Sequence, residues 1–176
     1  MLGFGSIGQG VLPLILKHLT ITPDRITVLA AHATGEEELK KYGVNFKLFE
    51  LFKENLEETL TPMLKKGDFL VNVSVRVSTC DLVNLCQKLE CLYIDACIEP
   101  WDGGYTDNNI PADRRTNYAL RDEARALKGE HTAILAHGAN PGLVSHFVKK
   151  VSFSHFLCFF EQIFHIFHTL NFLTKF

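Results

Sequence analysis

The chain opens Met1-Leu2-Gly3-Phe4-Gly5-Ser6-Ile7-Gly8, a G-x-G-x-x-G run with only two residues ahead of it. Such a run joins the first strand of a βαβ unit to its helix and lets a pyrophosphate lie against the turn. Gly3 permits a sharp turn off the strand, Gly5 permits close approach of the phosphates because no Cβ intervenes, and Gly8 permits tight packing of the helix on the sheet. The helix is predicted to start near Ser6, with its unpaired N–H groups and positive dipole end toward the phosphates. Phe4 and Ile7 complete the turn, and Val11, Leu12, Ile15 and Leu16 follow at the spacing of one helical face. Pro13 sits in that helix at a position that implies strain or bending.

The same feature sets a constraint. In the strand order 3-2-1-4-5-6 the first strand is central, and Met1 and Leu2 alone precede the turn. A missing central strand leaves buried N–H and C=O groups unpaired on both neighbours, at about 1–3 kcal/mol each. The expectation is therefore a start that lies upstream, or an unstable product.

Strand and helix signals alternate through about residue 150. Ile26 to Ala30 reads as strand two, and Thr34-Gly35-Glu36-Glu37 has the form of a capping box opening a helix that Gly43 closes. Phe46 to Leu51 reads as strand three. Leu56, Leu60, Met63 and Leu64 mark a helix ending at Gly67, and Phe69 to Val75 reads as a buried strand four. A helix on Leu82, Leu85, Cys86 and Leu89 leads to strand five at Leu92 to Cys97. A helix on Leu120, Ala124 and Leu127, stopped by Gly129, leads to strand six at Thr132 to His137. This alternation predicts an α/β fold, a Rossmann-like doubly wound parallel sheet with its first strand largely truncated and ligands at the carboxyl ends of the strands.

Three clusters follow strands four, five and six: Ser74 to Ser78, Glu99-Pro100-Trp101, and His137 to Gly142. Pro100 and Pro141 hold the residues before them extended, which displays Glu99 and Asn140 at strand ends. A carboxylate and a carboxamide there suit a cationic amine without a metal. The bland alternatives are a strand-end surface acid for Glu99 and a helix N-cap for Asn140. Trp101 offers a face to a cation or simply packs.

Charge and cysteine usage narrow the class. With 18 Lys+Arg against 20 Asp+Glu and only scattered basic doublets, no nucleic-acid track is present. The five cysteines form no C-x-x-C pair, which favours reduced thiols in a cytoplasmic protein over a zinc ribbon or disulfide framework, and no secretory signal is visible.

Gly3 to Gly10, Tyr93-Ile94-Asp95 through Glu99-Pro100-Trp101, Gly103-Gly104-Tyr105, Arg115-Thr116-Asn117-Tyr118-Ala119-Leu120-Arg121 and Gly138-Ala139-Asn140-Pro141-Gly142 through Lys149 together resemble the homospermidine synthases of the saccharopine-dehydrogenase-like group. The resemblance runs in order over roughly residues 2 to 150. It implies a transferase of polyamine biosynthesis that uses NAD for internal hydride transfer, joining two putrescines into homospermidine with release of ammonia. An alkylammonium, of pKa near about 10.4, must lose a proton before it gives up hydride, so such a site needs a base or a lowered amine pKa. By position, Gly3, Phe4, Gly5, Ser6, Ile7, Gly8, His32 and Ser74 would bind the cofactor. Glu99 and Asn140 would be catalytic, and Glu99, Trp101 and Asn140 would hold the diamine. The resemblance also admits a homo-oligomer of the full-length protein.

Two positions depart from the pattern. The fingerprint expects an acid about 20 residues beyond the glycines for the adenosine ribose, and strand two runs instead into Ala30-Ala31-His32. Arg76 stands where an acid or small polar residue is expected, and a cation there repels a diamine. Arg76 thus keeps open a saccharopine or carboxynorspermidine dehydrogenase-like oxidoreductase, while a non-catalytic nucleotide-binding remnant is the other alternative.

The resemblance ends near Lys150, which predicts an NAD-binding domain over 1–150, a Phe-rich tail over 151–176, and no substrate domain. That tail holds eight of the fourteen phenylalanines. Polar residues interrupt it, so a membrane span of about 20 apolar residues is a poor match. His165-x-x-His168 shares a helical face without a third metal ligand, so no metal is expected. The expected origin of the tail is read-through, a frame shift or aberrant splicing.

Overall fold

The first hydrogen bonds to account for are those of Met1–Gly3, because this segment has a strand on either side. In the computed structural model, which describes residues 1–173 with side chains for 1–157 and 159, Leu2 forms parallel bridges to both Leu29 and Asn72. Its N–H donates to Val71 O at 2.8 Å and its C=O accepts from Val73 N at 2.9 Å. On the other side Met1 O accepts from Leu29 N at 2.9 Å, and Gly3 N donates to Leu29 O at 2.8 Å. Three residues therefore fill the central slot that the sequence pattern left short, and the flanking backbone groups they reach are paired.

Around that stub the strands are β1 (Thr27–Ala30), β2 (Asn45–Leu48), β3 (Phe69–Asn72), β4 (Leu92–Asp95) and β5 (Ala133–Ile134). All the strand pairings are parallel, β1 with β2 on one side and β3-β4-β5 on the other. With Met1–Gly3 between β1 and β3, the order is that of the expected doubly wound sheet. The strands are shorter than their apolar runs. Phe69–Asn72 ends before Val73 to Val75, and Ala133–Ile134 occupies only part of the predicted strand six, because the chain leaves the ladder to form the loops at the carboxyl edge.

The helices are α1 (Ser6–His18), α2 (Glu36–Tyr42), α3 (Leu56–Leu60), α4 (Thr79–Lys88), α5 (Asn117–Ala126) and α6 (Leu143–Leu173). The helix α1 starts at Ser6 as predicted and continues through Pro13. At α2 the capping box does not form. Gly35, with φ 88°, occupies the N-cap position and no side chain caps the helix, so Thr34 lies one residue too early. At its other end Gly43, with φ 70°, donates its N–H to Leu39 and Lys40 carbonyls, as the predicted stop requires. By contrast Ser78 and Thr116 do cap α4 and α5, accepting from the N–H groups of Asp81 and Ala119.

The chain separates into two compact units, Met1–His137 and Gly138–Phe176. Within the first, the sheet divides two apolar clusters. One joins Leu2, Leu29, Leu56, Leu60, Leu70, Leu82 and Tyr93; the other joins Phe4, Leu12, Val28 and Leu39. The second unit consists of a turn followed by α6, which runs without a break through Lys150 and Val151, where the composition changes. Phe147, Phe153, Phe156 and Phe159 are exposed on it. Among the described residues no helix is long and apolar enough to cross a membrane.

Leu2 contributes both ladder hydrogen bonds and a side chain that is only 3% exposed. Leu2→Ala keeps the former and empties the latter, so it should cost about 2–4 kcal/mol in urea unfolding of the first unit. A change within experimental error would mean that the Leu2 side chain is not packed in the core of the first unit.

Candidate nucleotide and amine site

The glycines of the opening run divide by what surrounds them. Gly3 has φ 86°, and a Cβ there would lie 2.8 Å from Ser74 N and 2.9 Å from Val73 C, so the stub closes directly on the end of β3. At Gly8 a Cβ would lie 2.7 Å from Gly3 O, which fixes the approach of α1 to the stub. Gly5 differs: nothing lies within 4 Å of a Cβ built on it. Gly5, Ser6 and Ile7 are exposed, and the first turn of the 13-residue α1 has neither a side-chain cap nor an acidic residue. Exposed, unpaired N–H groups at a helix start with open space over the glycine are what a pyrophosphate requires.

The neighbouring loop is tied to that turn. Gly35, at positive φ, packs against the Phe4 ring, where an added Cβ would come within 2.7 Å, and Gln9 Nε2 donates to Phe4 O at 3.2 Å. His32 is exposed in this loop just beyond β1, at the position the fingerprint assigns to the adenosine ribose. Ser74 lies on the opposite side against Gly3, with its N–H and Oγ–H both donated to Asn72 Oδ1, at 3.1 and 2.6 Å.

A second feature opens from the same β3–α4 loop. A cleft of about 230 Å³ is lined by Arg76, Glu99, Pro100, Trp101, Asp102 and Tyr105, among others. Glu99 is held by more than Pro100. Its N–H donates to Thr79 Oγ1 at 3.1 Å, and its C=O accepts from Thr79 N at 2.9 Å. Partial burial pushes the Glu99 carboxyl above the usual range, the Cys97 thiol opposes that through a hydrogen bond, and the charge of Asp95 adds to it. Trp101 donates Nε1–H to Asp81 Oδ2 at 2.6 Å and packs on the larger apolar cluster, so its indole is fixed at the cleft wall. The Tyr105 hydroxyl lies 3.0 Å from Ile98 O and 2.8 Å from Asn117 Oδ1.

Arg76 is in the same cleft, at φ 64°, and its guanidinium lies 3.7 Å from Asp102. Both side chains are more than 70% exposed, so the pair adds little stability. The cleft lining thus carries one guanidinium and two carboxylates, with Arg76 turned toward Asp102 and Glu99 the more buried of the two acids. Asp102 and Tyr105 were not assigned to the site from sequence. Their signal was the Gly103-Gly104-Tyr105 segment, which returns the chain beside Glu99 after the Pro100 turn.

Asn140 belongs to the second unit. It is exposed at a turn in which Gly138 N donates to Pro141 O at 2.9 Å, and the Asn140-Pro141 peptide bond is cis. Leu143 N and Val144 N donate to Gly138 O and Ala139 O, so the turn feeds straight into α6. Among the described residues no group of three metal-ligating side chains occurs, and the side chains of His165 and His168 lie outside them.

A parallel sheet with its central strand leading into an open glycine turn and an uncapped helix defines a Rossmann-like dinucleotide-binding domain. The profile of the saccharopine dehydrogenase NADP binding domain matches residues 1–134, and the chain belongs to that family. A homospermidine synthase from Mesorhizobium japonicum is 43% identical over 157 residues, covering 85% of this chain and 32% of that protein. One from Blastochloris viridis is 39% identical over 157 residues, covering 85% and 33%. The crystal structure of the Legionella pneumophila homospermidine synthase in complex with NAD superposes with a TM-score of 0.75 at 42% identity, covering 85% of this chain and 31% of that one. The chain thus spans about a third of the length of the curated relatives it matches.

The glycines make a contrast that thermal melting can read. Gly3→Ala should destabilise by more than about 2 kcal/mol, since it adds both a left-handed alanine and a backbone clash. Gly5→Val, which meets no neighbour and changes only the N-cap residue of α1, should cost about 1 kcal/mol or less. A second expectation concerns Glu99. A carboxyl whose folded pKa is raised contributes stability while protonated and loses it as pH rises through that folded value. Glu99→Gln lacks that loss, so at pH 7 it should be as stable as the parent or more so, in urea titrations at pH 4.5 and 7. A variant less stable only at pH 7 would contradict the sign.

Proposed function

We propose that this chain supplies the nucleotide-binding part of an NAD-dependent homospermidine synthase, a cytoplasmic transferase that joins two putrescines and releases ammonia. The observation that carries the reading is the cleft beside the glycine turn, where Arg76 is offset by Asp102 and the Glu99 carboxylate faces an aromatic wall. The family membership and the relatives' names support it.

When bound, NAD would supply reversible hydride-transfer chemistry at the amine carbon. Gly5, Ser6 and Ile7 would hold the pyrophosphate on main-chain N–H groups and the α1 dipole, while Gly3, Phe4 and Gly8 shape the turn that presents them. His32 offers a hydrogen bond to the adenosine ribose, and Ser74 forms the floor of the turn. Glu99 binds the ammonium of the diamine, and its raised pKa suits it to take up a proton as the amine becomes neutral. Trp101 shields that exchange from water and gives the cation an aromatic face. Asn140, in the second unit, is assigned from the resemblance alone as a hydrogen-bonding carboxamide. Free thiols at Cys80, Cys86, Cys91 and Cys97 fit a reducing compartment.

Arg76 favours one second reading, an oxidoreductase of the saccharopine or carboxynorspermidine dehydrogenase type, whose substrate carboxylate would displace Asp102 from the guanidinium.

The chain should bind NAD in calorimetry, and Gly5→Val should weaken that binding by at least about tenfold, the loss of a hydrogen-bonded anion contact. If the chain turns over by itself, labelled putrescine with NAD yields homospermidine and ammonia; in NMR putrescine should shift the Glu99 resonances. Homospermidine supports the whole reading. NAD binding with putrescine shifts but no product supports the nucleotide-binding part alone. Absence of NAD binding overturns both, and shifts caused by an amino acid but not by putrescine favour the dehydrogenase.

A further inference from the structure

Between the glycine turn and Glu99 lies a buried polar chain that the nucleotide and amine contacts do not use. Asn72, Thr79 and Asp95 are 2%, 0% and 2% exposed, and Tyr93 is 1% exposed. Four polar side chains buried together are costly unless every donor finds an acceptor, so the direction of each bond can be traced.

Thr79 Oγ1 accepts from Glu99 N–H, so its own proton goes to Asp95 Oδ2 at 3.0 Å. The Tyr93 hydroxyl accepts from Asn72 Nδ2 at 3.1 Å, so its proton also goes to Asp95 Oδ2, at 3.0 Å. Asn72 Oδ1 meanwhile accepts both donors of Ser74. The other Asp95 oxygen accepts from Ala136 N–H. All arrows end on one carboxylate. Burial raises the Asp95 pKa, while the donations from Ala136, Thr79 and Tyr93 lower it. Burial also raises the Tyr93 phenol, which therefore keeps its proton and remains a donor.

We propose that Asp95 is a positioning residue, the hub that sets the nucleotide turn and the Glu99 main chain in one register. One arm runs through Tyr93 and Asn72 to Ser74, on whose backbone Gly3 closes. The other runs through Thr79 to the Glu99 N–H. Naming the Glu99 end an amine site rests on the proposed function; the two-armed geometry does not.

The polarity of the chain makes an isosteric change informative. An asparagine at 95 has a single acceptor oxygen, and its Nδ2 must face either the Ala136 N–H or two hydroxyl protons. Turning those hydroxyls round would forfeit the bonds from Asn72 and Glu99. Each arm can also be cut separately, with Tyr93→Phe for the Ser74 arm and Thr79→Val for the Glu99 arm.

The test is a set of ¹H–¹⁵N spectra of the chain. Tyr93→Phe should shift the Ser74 and Gly3 amides and spare Glu99. Thr79→Val should shift the Glu99 amide and spare Ser74, and Thr79→Ser, which retains the hydroxyl, should restore it. Asp95→Asn should shift both ends. With NAD added, Tyr93→Phe should weaken binding by about fivefold while Thr79→Val leaves it within about twofold, as expected when one hydrogen bond is lost on one arm only. If Asp95→Asn does not fold, the single-arm variants decide. Equal shifts at both ends from either single-arm variant, or no shift at the far end of its own arm, overturns the proposal. Failure of NAD to bind would count against the proposed function and leave the spectral test intact.

Discussion

The main-chain pairing of Leu2 with β1 and β3 is the interaction on which the rest of this structure depends. Without it β1-β2 and β3-β4-β5 are separate ladders, each with an unpaired inner edge. The stub also determines where the turn sits. Gly3 leaves the ladder directly onto Ser74, so the pyrophosphate turn is as well placed as the strand residues that precede it.

From this central line the site is built on both sides by different means. On the nucleotide side the elements are held by close contact, with Gly35 on the Phe4 ring and Gly8 on Gly3 O. On the Glu99 side they are held by directed polar bonds, with Thr79 gripping the Glu99 peptide at both N–H and C=O. Close contact tolerates little added volume, and directed bonds tolerate little change of polarity. The two halves should therefore respond to opposite kinds of substitution.

Most of the architecture was legible in the sequence because it rests on periodicity and punctuation. Gly43 ends α2, the β-branched run before Ala30 makes β1, and Ser6 opens α1, each for a local reason. The pairing of the first-strand position was not legible from a residue count, because it rests on the few main-chain groups that Met1–Gly3 place between β1 and β3. Thr34 failed as a cap because Gly35 entered the left-handed region to meet Phe4, a tertiary contact that no local motif encodes. The polar hub was missed for a similar reason. Asn72, Thr79, Tyr93 and Asp95 are dispersed over β3, α4 and β4, and only the parallel pairing of Asn72 with Asp95 brings them together.

The charge at Arg76 illustrates how far local chemistry can be read without its surroundings. Considered alone, a guanidinium near Glu99 opposes a diamine, and in water the effect of two unit charges 4 Å apart is about 1 kcal/mol. The fold changes the balance through geometry. The loop places Arg76 in the left-handed region and directs it to Asp102, a residue that the Pro100 turn carries back across the cleft. With that pair formed, the guanidinium is offset by an exposed partner while Glu99 stays half-buried with a raised pKa, so the carboxylate gains more from an incoming ammonium than a solvated acid would. Under the proposed function, a preference for a cation would come from unequal solvation of the charges, and the number of acids and bases in the cleft would not decide it.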